Sequence, residues 1–434
     1  MTRDQFRKAL QKGQGRAILH LLQNDPAPYL DEILYACLHN TTYDQECEGT
    51  REDYLFEAIN LSGRLDFLKS EVFEKLLTST DNRDASQLVE LARLFAERGD
   101  SNAREAIYKR FDNGCEHEKY PIGSYSIVEL DRLDGLLHVM EQNGKRMLRD
   151  PDFEPTVYGN KHEVTGLTIL EVRHAIRMAS KQSQNIQACR AKIASEQRTY
   201  RTHRVDRRSP KDFTLPEIKS VIDDAANKPN GISLFYLFRS WAHHATENDL
   251  RLAALGFPRE LDSDRIKRYL YMFSGRSLSE MIDRLLELTR DDDTEIERLA
   301  CLALKKRKDV RVRELALQRI ADGKLNGSTL SLLKHNYQQG DGKTIQDALP
   351  ADPDDHLAHD IGMGLRDIFE EYPERDCVQL SFWLVDHTPC AMCRFAAIKT
   401  LVESGSAPQS LIEEARHDCY SDTRALVSTA QQQE

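Results

Sequence analysis

The sequence is poor in aromatic residues and has no long hydrophobic run. Aromatics make up 7% of the 434 residues, and 21 glycines and 14 prolines are few for a chain of this length. The longest apolar segments, such as 232–238, are much too short to span a bilayer, and the opening segment MTRDQFRKALQKGQGR lacks the apolar stretch of a secretory signal. We therefore expect a soluble cytoplasmic protein that does not bind a membrane.

The sequence also lacks the marks of a disulfide-stabilised protein and of a strongly basic one. Its nine cysteines are an odd number scattered through a large chain, whereas disulfide frameworks belong to small secreted domains. We expect reduced thiols. The formal net charge of −11 repels nucleic acid at long range unless positive charge gathers on one face.

Amphipathic helical segments, in contrast, are abundant. Residues 84–98 carry apolar side chains at helical spacing, Gly99 and Asp100 interrupt them, and 101–111 begins a second helix. Because the turn is two residues long, the two helices must pack antiparallel. The same arrangement recurs at 294–307 and 309–322. The sequence therefore predicts an all-α protein built from helical hairpins.

Two of the second helices share a pattern. In segments 312–323 and 393–405, Arg313 and Arg394 precede two apolar positions by three and seven residues, and a glycine follows. A hairpin of this size cannot bury both apolar faces alone, so neighbouring hairpins are expected to stack. We predict that these arginines tie adjacent repeats together, by donating to carbonyls or to the aspartates that open neighbouring helices.

These VR-x-x-A-x-x-x-L stretches resemble HEAT repeats over residues 65–114 and 290–430. The resemblance implies a right-handed α-α superhelix, a HEAT/armadillo-like solenoid. It also implies a non-enzymatic scaffold that grips a protein partner along its concave face. Together with the absence of a strong catalytic constellation, it leads us to expect no catalytic residues, no cofactor and no metal.

Segments that contain proline and glycine divide the predicted helices into three parts. We expect an amino-terminal helical repeat block at 1–148, an irregular middle segment with longer helices and a basic linker at 149–230, and a carboxy-terminal HEAT-like solenoid at 231–434.

A first candidate ligand site lies in YDQECEGTREDYL, residues 43–55. Asp44, Glu48 and Arg51 belong to a group of carboxylates with one arginine, which suits acid–base chemistry or a divalent cation. The alternative is a capped turn in which Arg51 ties the loop to a neighbouring repeat.

A second candidate site lies in IVELDRLDGLLHVMEQNG, residues 127–144. Asp131, Asp134 and His138 are three and four residues apart, so a continuous helix would place them on one face. The alternative is a solvated or capping face. Gly135 in the middle of this helix indicates that another backbone approaches closely.

A basic run occupies residues 189–219, with nine lysines and arginines against four acidic residues. Arg201, Arg204, Arg207 and Arg208 are its candidate phosphate-binding residues. Tyr200 is the one aromatic between 189 and 212, which provides little base stacking. The alternative is a linker that docks on the acidic remainder of the chain.

This run supports an alternative function as a nucleic-acid-binding protein, one that is similar to the HEAT-like alkylpurine DNA glycosylases. That family is shorter and more basic than this chain. A third alternative is an enzyme that is similar to the HEAT-like bilin lyases, with its site in the loop at 43–55. Nothing in the residues points to a bilin substrate.

Cys390 and Cys393 form a CxxC in HTPCAMCRFAAIKTLVESG, residues 387–405. A structural zinc site needs four ligands, and the best completion in the sequence is His417 with Cys419. The spacing of one residue between them is unlike that of a zinc knuckle.

Thiol chemistry is a rival interpretation of the same pair. Thr388 as N-cap and Pro389 as first helical residue would place Cys390 where the helix dipole and free amides lower a thiol pKa. Redox CxxC pairs usually follow a strand, however, and no strand is predicted here. Because Cys393 takes the apolar position that Val312 has in the other repeat, the sequence favours packing over chemistry.

Overall fold

The protein is built from α-helices. A computed structural model describes residues 1–48, 50–114, 121–150, 152–153, 165–206, 208–228, 231–372 and 377–430. Within these ranges there is no β-strand, which confirms the all-α prediction. None of the helices in the same ranges combines the length and the apolar character needed to cross a membrane.

The chain divides into two compact units, residues 1–204 with 409–434 and residues 205–408. The helices of the first unit are α1 Arg3–Gln11, α2 Gly15–Gln23, α3 Leu30–Leu38, α4 Gln45–Glu48, α5 Glu52–Leu61, α6 Leu65–Thr78, α7 Asn82–Glu97, α8 Ser101–Asn113, α9 Ser124–Arg149, α10 Ile169–Ala179 and α11 Gln184–Asp206.

The helices of the second unit are α12 Leu215–Asp223, α13 Leu234–His244, α14 Glu247–Ala253, α15 Ser263–Gly275, α16 Ile282–Leu288, α17 Thr294–Leu304, α18 Val310–Ala321, α19 Gly327–Ser331, α20 Asp341–Ala348, α21 Asp355–Glu371, α22 Val378–His387 and α23 Ala391–Glu403. Two further helices, α24 Gln409–Ala415 and α25 Ser421–Ala430, belong to the first unit.

The predicted hairpin at 84–111 shows why the helices begin and end where they do. Helix α7 ends in a turn in which Gly99 has a φ of 91°, a left-handed conformation that favours glycine. Asp100 then accepts hydrogen bonds from the backbone N–H groups of Asn102 and Ala103 at 3.0 and 3.1 Å, and so caps α8. Both helices bury their apolar faces, as their spacing predicts.

A hydrogen bond from a cation to the end of an earlier helix recurs at the same sequence interval. Arg110 donates to the Ser79 carbonyl at 3.2 Å, and Arg276 to the Ala245 carbonyl at 2.9 Å, each across 31 residues. Lys306 donates in the same way to Gly275 at 3.1 Å, again across 31 residues. The interval occurs in both units.

The two units do not coincide with the three expected segments. Residues 149–230 are not a separate unit, and residues 409–434 join the amino-terminal helices rather than the carboxy-terminal ones. Arg16 pairs with Glu414 at 2.8 Å, and the backbone N–H of Cys419 donates to the Gly13 carbonyl at 3.0 Å. These contacts join residues about four hundred positions apart, which no local pattern reveals.

Two lysines bridge helices within the second unit. Lys334 donates to Asp367 of α21 at 2.9 Å, and Lys305 also pairs with this carboxylate, whose side chain is 19% exposed. Burial alone would raise the pKa of Asp367, but the hydrogen bonds from both lysines hold it below its usual range.

Candidate metal centre

Three metal-ligating side chains converge in the second unit. His359 lies near the start of α21, and Cys390 and Cys393 lie at the start of α23. The Sγ atoms of Cys390 and Cys393 and one ring nitrogen of His359 all lie within 4.8 Å of one another. The Cys393 Sγ and the His359 Nδ1 are 3.8 Å apart.

The turn between α22 and α23 positions both sulfurs. Thr388 ends α22, and its hydroxyl accepts a hydrogen bond from the Cys390 backbone N–H at 3.2 Å. Cys390, with extended backbone angles (φ −85°, ψ 122°), is the N-cap, and Cys393 is the third helical residue. The sequence-based start of the helix at Pro389 was wrong by two residues, because the Thr388 bond holds the chain in a turn until Ala391.

A glycine brings α21 close to the two cysteines. Gly362 lies one helical turn after His359, and a Cβ at this position would lie 3.4 Å from both Cβ and Sγ of Cys393. It would also lie 2.9 Å from the Leu384 Cδ1 of α22, which is closer than real Cβ atoms come to such a neighbour. The missing side chain therefore lets the His359 ring reach the sulfur atoms.

The two thiols differ in their acidity because they interact with each other. The pKa of Cys390 is lowered, because the Cys393 thiol donates to its sulfur and because the His359 ring and the Cys393 backbone N–H add to this effect. The pKa of Cys393 is raised, because its proton is held by the Cys390 sulfur and because it is buried. The side chain of Arg366, one turn beyond Gly362, acts in the opposite direction on Cys393.

This donor set fits a soft, borderline metal ion. Tetrahedral zinc with bonds of about 2.3 Å to sulfur and about 2.0 to 2.1 Å to nitrogen separates a sulfur from a nitrogen ligand by about 3.6 Å. The observed 3.8 Å between Cys393 and His359 is close to that value. Thiolate and imidazole ligands select zinc over magnesium or calcium, which prefer oxygen. Three protein ligands leave one coordination position for water or an external ligand.

The sequence singled out the two cysteines but missed His359. The proposed completion by His417 and Cys419 lies in the first unit, where His417 pairs with Glu57 at 3.0 Å. A signal was present in HLAHDIG, residues 356–362, where a histidine and a glycine three residues apart share a helical face. Nothing in that segment linked it to a CxxC some thirty residues later.

The acid-rich loop at 43–55 forms a buried ion pair. Arg51 pairs with Glu48 at 2.9 Å, and their side chains are only 4% and 2% exposed. Arg51 also donates to the Gln11 carbonyl of α1. The backbone N–H of Asp44 faces the Glu48 carboxylate at 3.4 Å. These contacts match the alternative in which Arg51 ties the loop to a neighbouring helix, and a ligand site here stays a prediction.

The face expected at 127–144 is interrupted, which corrects the interpretation of a continuous helix. Arg132 has a φ of 53° and a ψ of −120°, so α9 is broken between Asp131 and Asp134. Asp131 accepts a hydrogen bond from the Tyr108 hydroxyl at 2.6 Å and pairs with Arg104, whereas Asp134 is exposed.

Two further observations concern the same segment. His138 pairs with Asp112 at 2.7 Å instead of joining an aspartate of its own helix. Gly135 does meet a backbone closely, because a Cβ there would lie 2.3 Å from the Ile127 carbonyl oxygen. The neighbour is the preceding part of the same broken helix, not a separate segment.

The described part of the basic run does not present a row of exposed arginines. Arg201 and Arg204 lie on α11 with side chains outside the part that the structure describes, and Arg207 lies outside the described residues. Arg208 donates to Glu217 at 2.9 Å and lies 4.6 Å from the centre of the Phe213 ring. The Arg208 guanidinium and the Thr214 hydrogen bonds lower the pKa of Glu217 to about 2.

The two repeat arginines occupy similar helical positions but different surroundings. The Nε of Arg313 in α18 lies 3.1 Å from Asp341 in α20, whose side chain is 3% exposed. Arg394, directly after Cys393, is 1% exposed. The Arg313 pair joins α18 to α20, and the role of both arginines as ties between repeats stays a prediction.

Comparisons with protein-family models, with curated proteins and with solved structures found no match. The interpretation of the site therefore depends on its geometry alone.

Proposed function

We propose that this protein is a non-enzymatic helical-repeat scaffold, coiled as a right-handed superhelix, whose functional centre is a zinc site formed by His359, Cys390 and Cys393. The observation that carries the zinc proposal is the convergence of three soft ligand atoms within 4.8 Å. The recurring ties across 31 residues support the scaffold.

A metal site explains the cluster better than packing alone. Two cysteines that only fill an apolar core need no imidazole nitrogen 3.8 Å from a sulfur. The pair is also set at the start of a helix, where backbone N–H groups stabilise negative charge on Cys390. Zinc binding would remove the proton that Cys393 shares with the Cys390 sulfur. Both sulfurs would then bind the zinc ion instead.

The location of the site suggests what zinc does there. His359 lies on α21, and the two cysteines lie at the turn between α22 and α23. A bound ion would therefore connect α21 to this turn within the second unit. Because zinc binds the folded state, it stabilises that state by about 2.7 kcal/mol when its free concentration is 100 times the Kd. The proposed role is therefore structural, with one coordination position open.

The test is zinc titration of the full chain after purification under reducing conditions and removal of bound metal. We expect one zinc per chain, measured by competition with a chromophoric chelator, together with a higher urea midpoint. Cobalt should give thiolate charge-transfer absorption at the same stoichiometry. His359→Ala should weaken both signals, and His356→Ala, an exposed histidine of the same helix, should not.

Circular dichroism of each variant distinguishes lost metal binding from lost folding. A wild-type protein that binds no more zinc than the Cys390→Ser, Cys393→Ser double variant would overturn the zinc proposal. The scaffold proposal has its own test, which is recovery of a stoichiometric protein partner with the full chain. Recovery of a tightly bound small molecule and no partner would contradict it.

A further inference from the structure

We propose that Cys390 and Cys393 are also an oxidation site, in which a peroxide converts the pair into a disulfide that expels the zinc ion. This inference rests on the proposed zinc site and names its regulation. It assigns a second state to the same two sulfur atoms.

The two sulfur atoms already lie within 4.8 Å of each other. Cys390 is the N-cap of α23 and Cys393 its third residue, one helical turn further on. In a regular helix, residues at this spacing have Cα atoms about 5 Å apart, and an N-cap residue directly precedes the first helical turn. Disulfides span Cα separations of about 4.4 to 6.8 Å. Rotation of the two side chains is therefore enough to join the sulfurs, and the helix does not have to unwind.

The chemistry balances with hydrogen peroxide as the oxidant. The Cys390 thiolate attacks one peroxide oxygen, so that an S–O bond forms, the O–O bond breaks and hydroxide leaves to become water. The Cys393 sulfur then attacks the Cys390 sulfur, the S–S bond forms, and the S–O bond breaks. In the zinc-bound state both sulfurs are thiolates, so the two departing hydroxides take their protons from water. The two sulfurs lose two electrons and the peroxide gains them.

Disulfide formation removes two of the three ligands. A disulfide sulfur carries no negative charge, whereas zinc requires deprotonated thiolates. Only His359 would remain, and a single imidazole does not hold zinc against a chelator. Oxidation and zinc release are therefore linked one to one, and a dithiol reductant should reverse both.

The burial of the pair limits which oxidants can act. Cys390 is 3% exposed and Cys393 is fully buried. A molecule the size of peroxide can reach such a sulfur through small motions, but a bulky disulfide such as oxidised glutathione cannot align with it. The site should therefore respond to peroxide much faster than to glutathione disulfide.

The experiment uses the full-length zinc-loaded protein, hydrogen peroxide and a chromophoric zinc chelator. We expect release of one zinc equivalent with loss of two alkylatable thiols, located by mass spectrometry to Cys390 and Cys393, and rebinding after dithiothreitol. Cys301→Ser, a buried cysteine of the same unit, is the matched control and should release zinc like the wild type. Glutathione disulfide at the same concentration should release little.

The outcomes separate the two proposals. A protein that binds zinc and keeps it under peroxide, or that releases it with sulfinic acids and no disulfide, overturns the switch and leaves the zinc site intact. A protein that never binds zinc overturns both. Equal rates with peroxide and glutathione disulfide contradict the access argument.

Discussion

Replacing Gly362 by alanine is a direct test of how the site is positioned. The new methyl group would lie 2.9 Å from the Leu384 Cδ1 and 3.4 Å from the Cβ and Sγ of Cys393. Leu384 is fully buried and cannot move into solvent. The methyl group therefore crowds α21 against the Leu384 side chain of α22 and the Cys393 side chain of α23, and we expect the His359 ring to move relative to the Cys393 sulfur.

Two effects of opposite sign decide the stability of this variant. Alanine is favoured over glycine inside a helix by about 1 kcal/mol. Overpacking a buried contact costs about 1 to 3 kcal/mol. We therefore expect the free energy of unfolding without metal to fall by no more than about 2 kcal/mol. Zinc affinity should fall more visibly, by about 10- to 100-fold, as it does when groups that orient a ligand are lost.

Urea unfolding without metal measures the first quantity, and chelator competition measures the second. Met363→Ala is the matched control, because Met363 is the next residue and its side chain is 46% exposed. It should leave zinc affinity unchanged. If Gly362→Ala binds zinc as tightly as the wild type, close approach of α21 does not position the ligands, and the reasoning above is refuted.

Three further predictions concern the rest of the chain. Arg51→Ala should lower the free energy of unfolding by about 3–5 kcal/mol, because the buried Glu48 carboxylate would lose its guanidinium partner; a stable variant would instead favour a ligand site in the loop. Asp367 holds a proton less tightly in the folded chain than in the unfolded one, so its stabilising contribution is present above the ordinary aspartate pKa and is lost as the pH falls. Urea midpoints at pH 7 and at pH 3, which is below that ordinary value, should consequently differ less in Asp367→Asn than in the wild type. Burial raises the pKa of Cys37 to about 12, so iodoacetamide at pH 8 should label it only after unfolding; rapid labelling of the native protein would contradict this.

The sequence by itself determined the class of structure and much of its local detail. The hairpin expected at 294–307 and 309–322 corresponds to the helices Thr294–Leu304 and Val310–Ala321. The interruption at Gly99 and Asp100 is the observed turn. Helical periodicity, capping side chains and left-handed glycines act over fewer than about ten residues, so their signals are complete within a short window.

Tertiary structure alone decided which distant residues meet. It brought His359 to the CxxC, placed residues 409–434 with the first unit and broke α9 at Arg132, so that Asp131 and Asp134 do not share a face. The first two of these results depend on how helix faces pack across thirty to four hundred residues. The free energy of such packing is the sum of contacts made by many side chains. No recurring pattern in a single sequence therefore indicates which distant residues make these contacts.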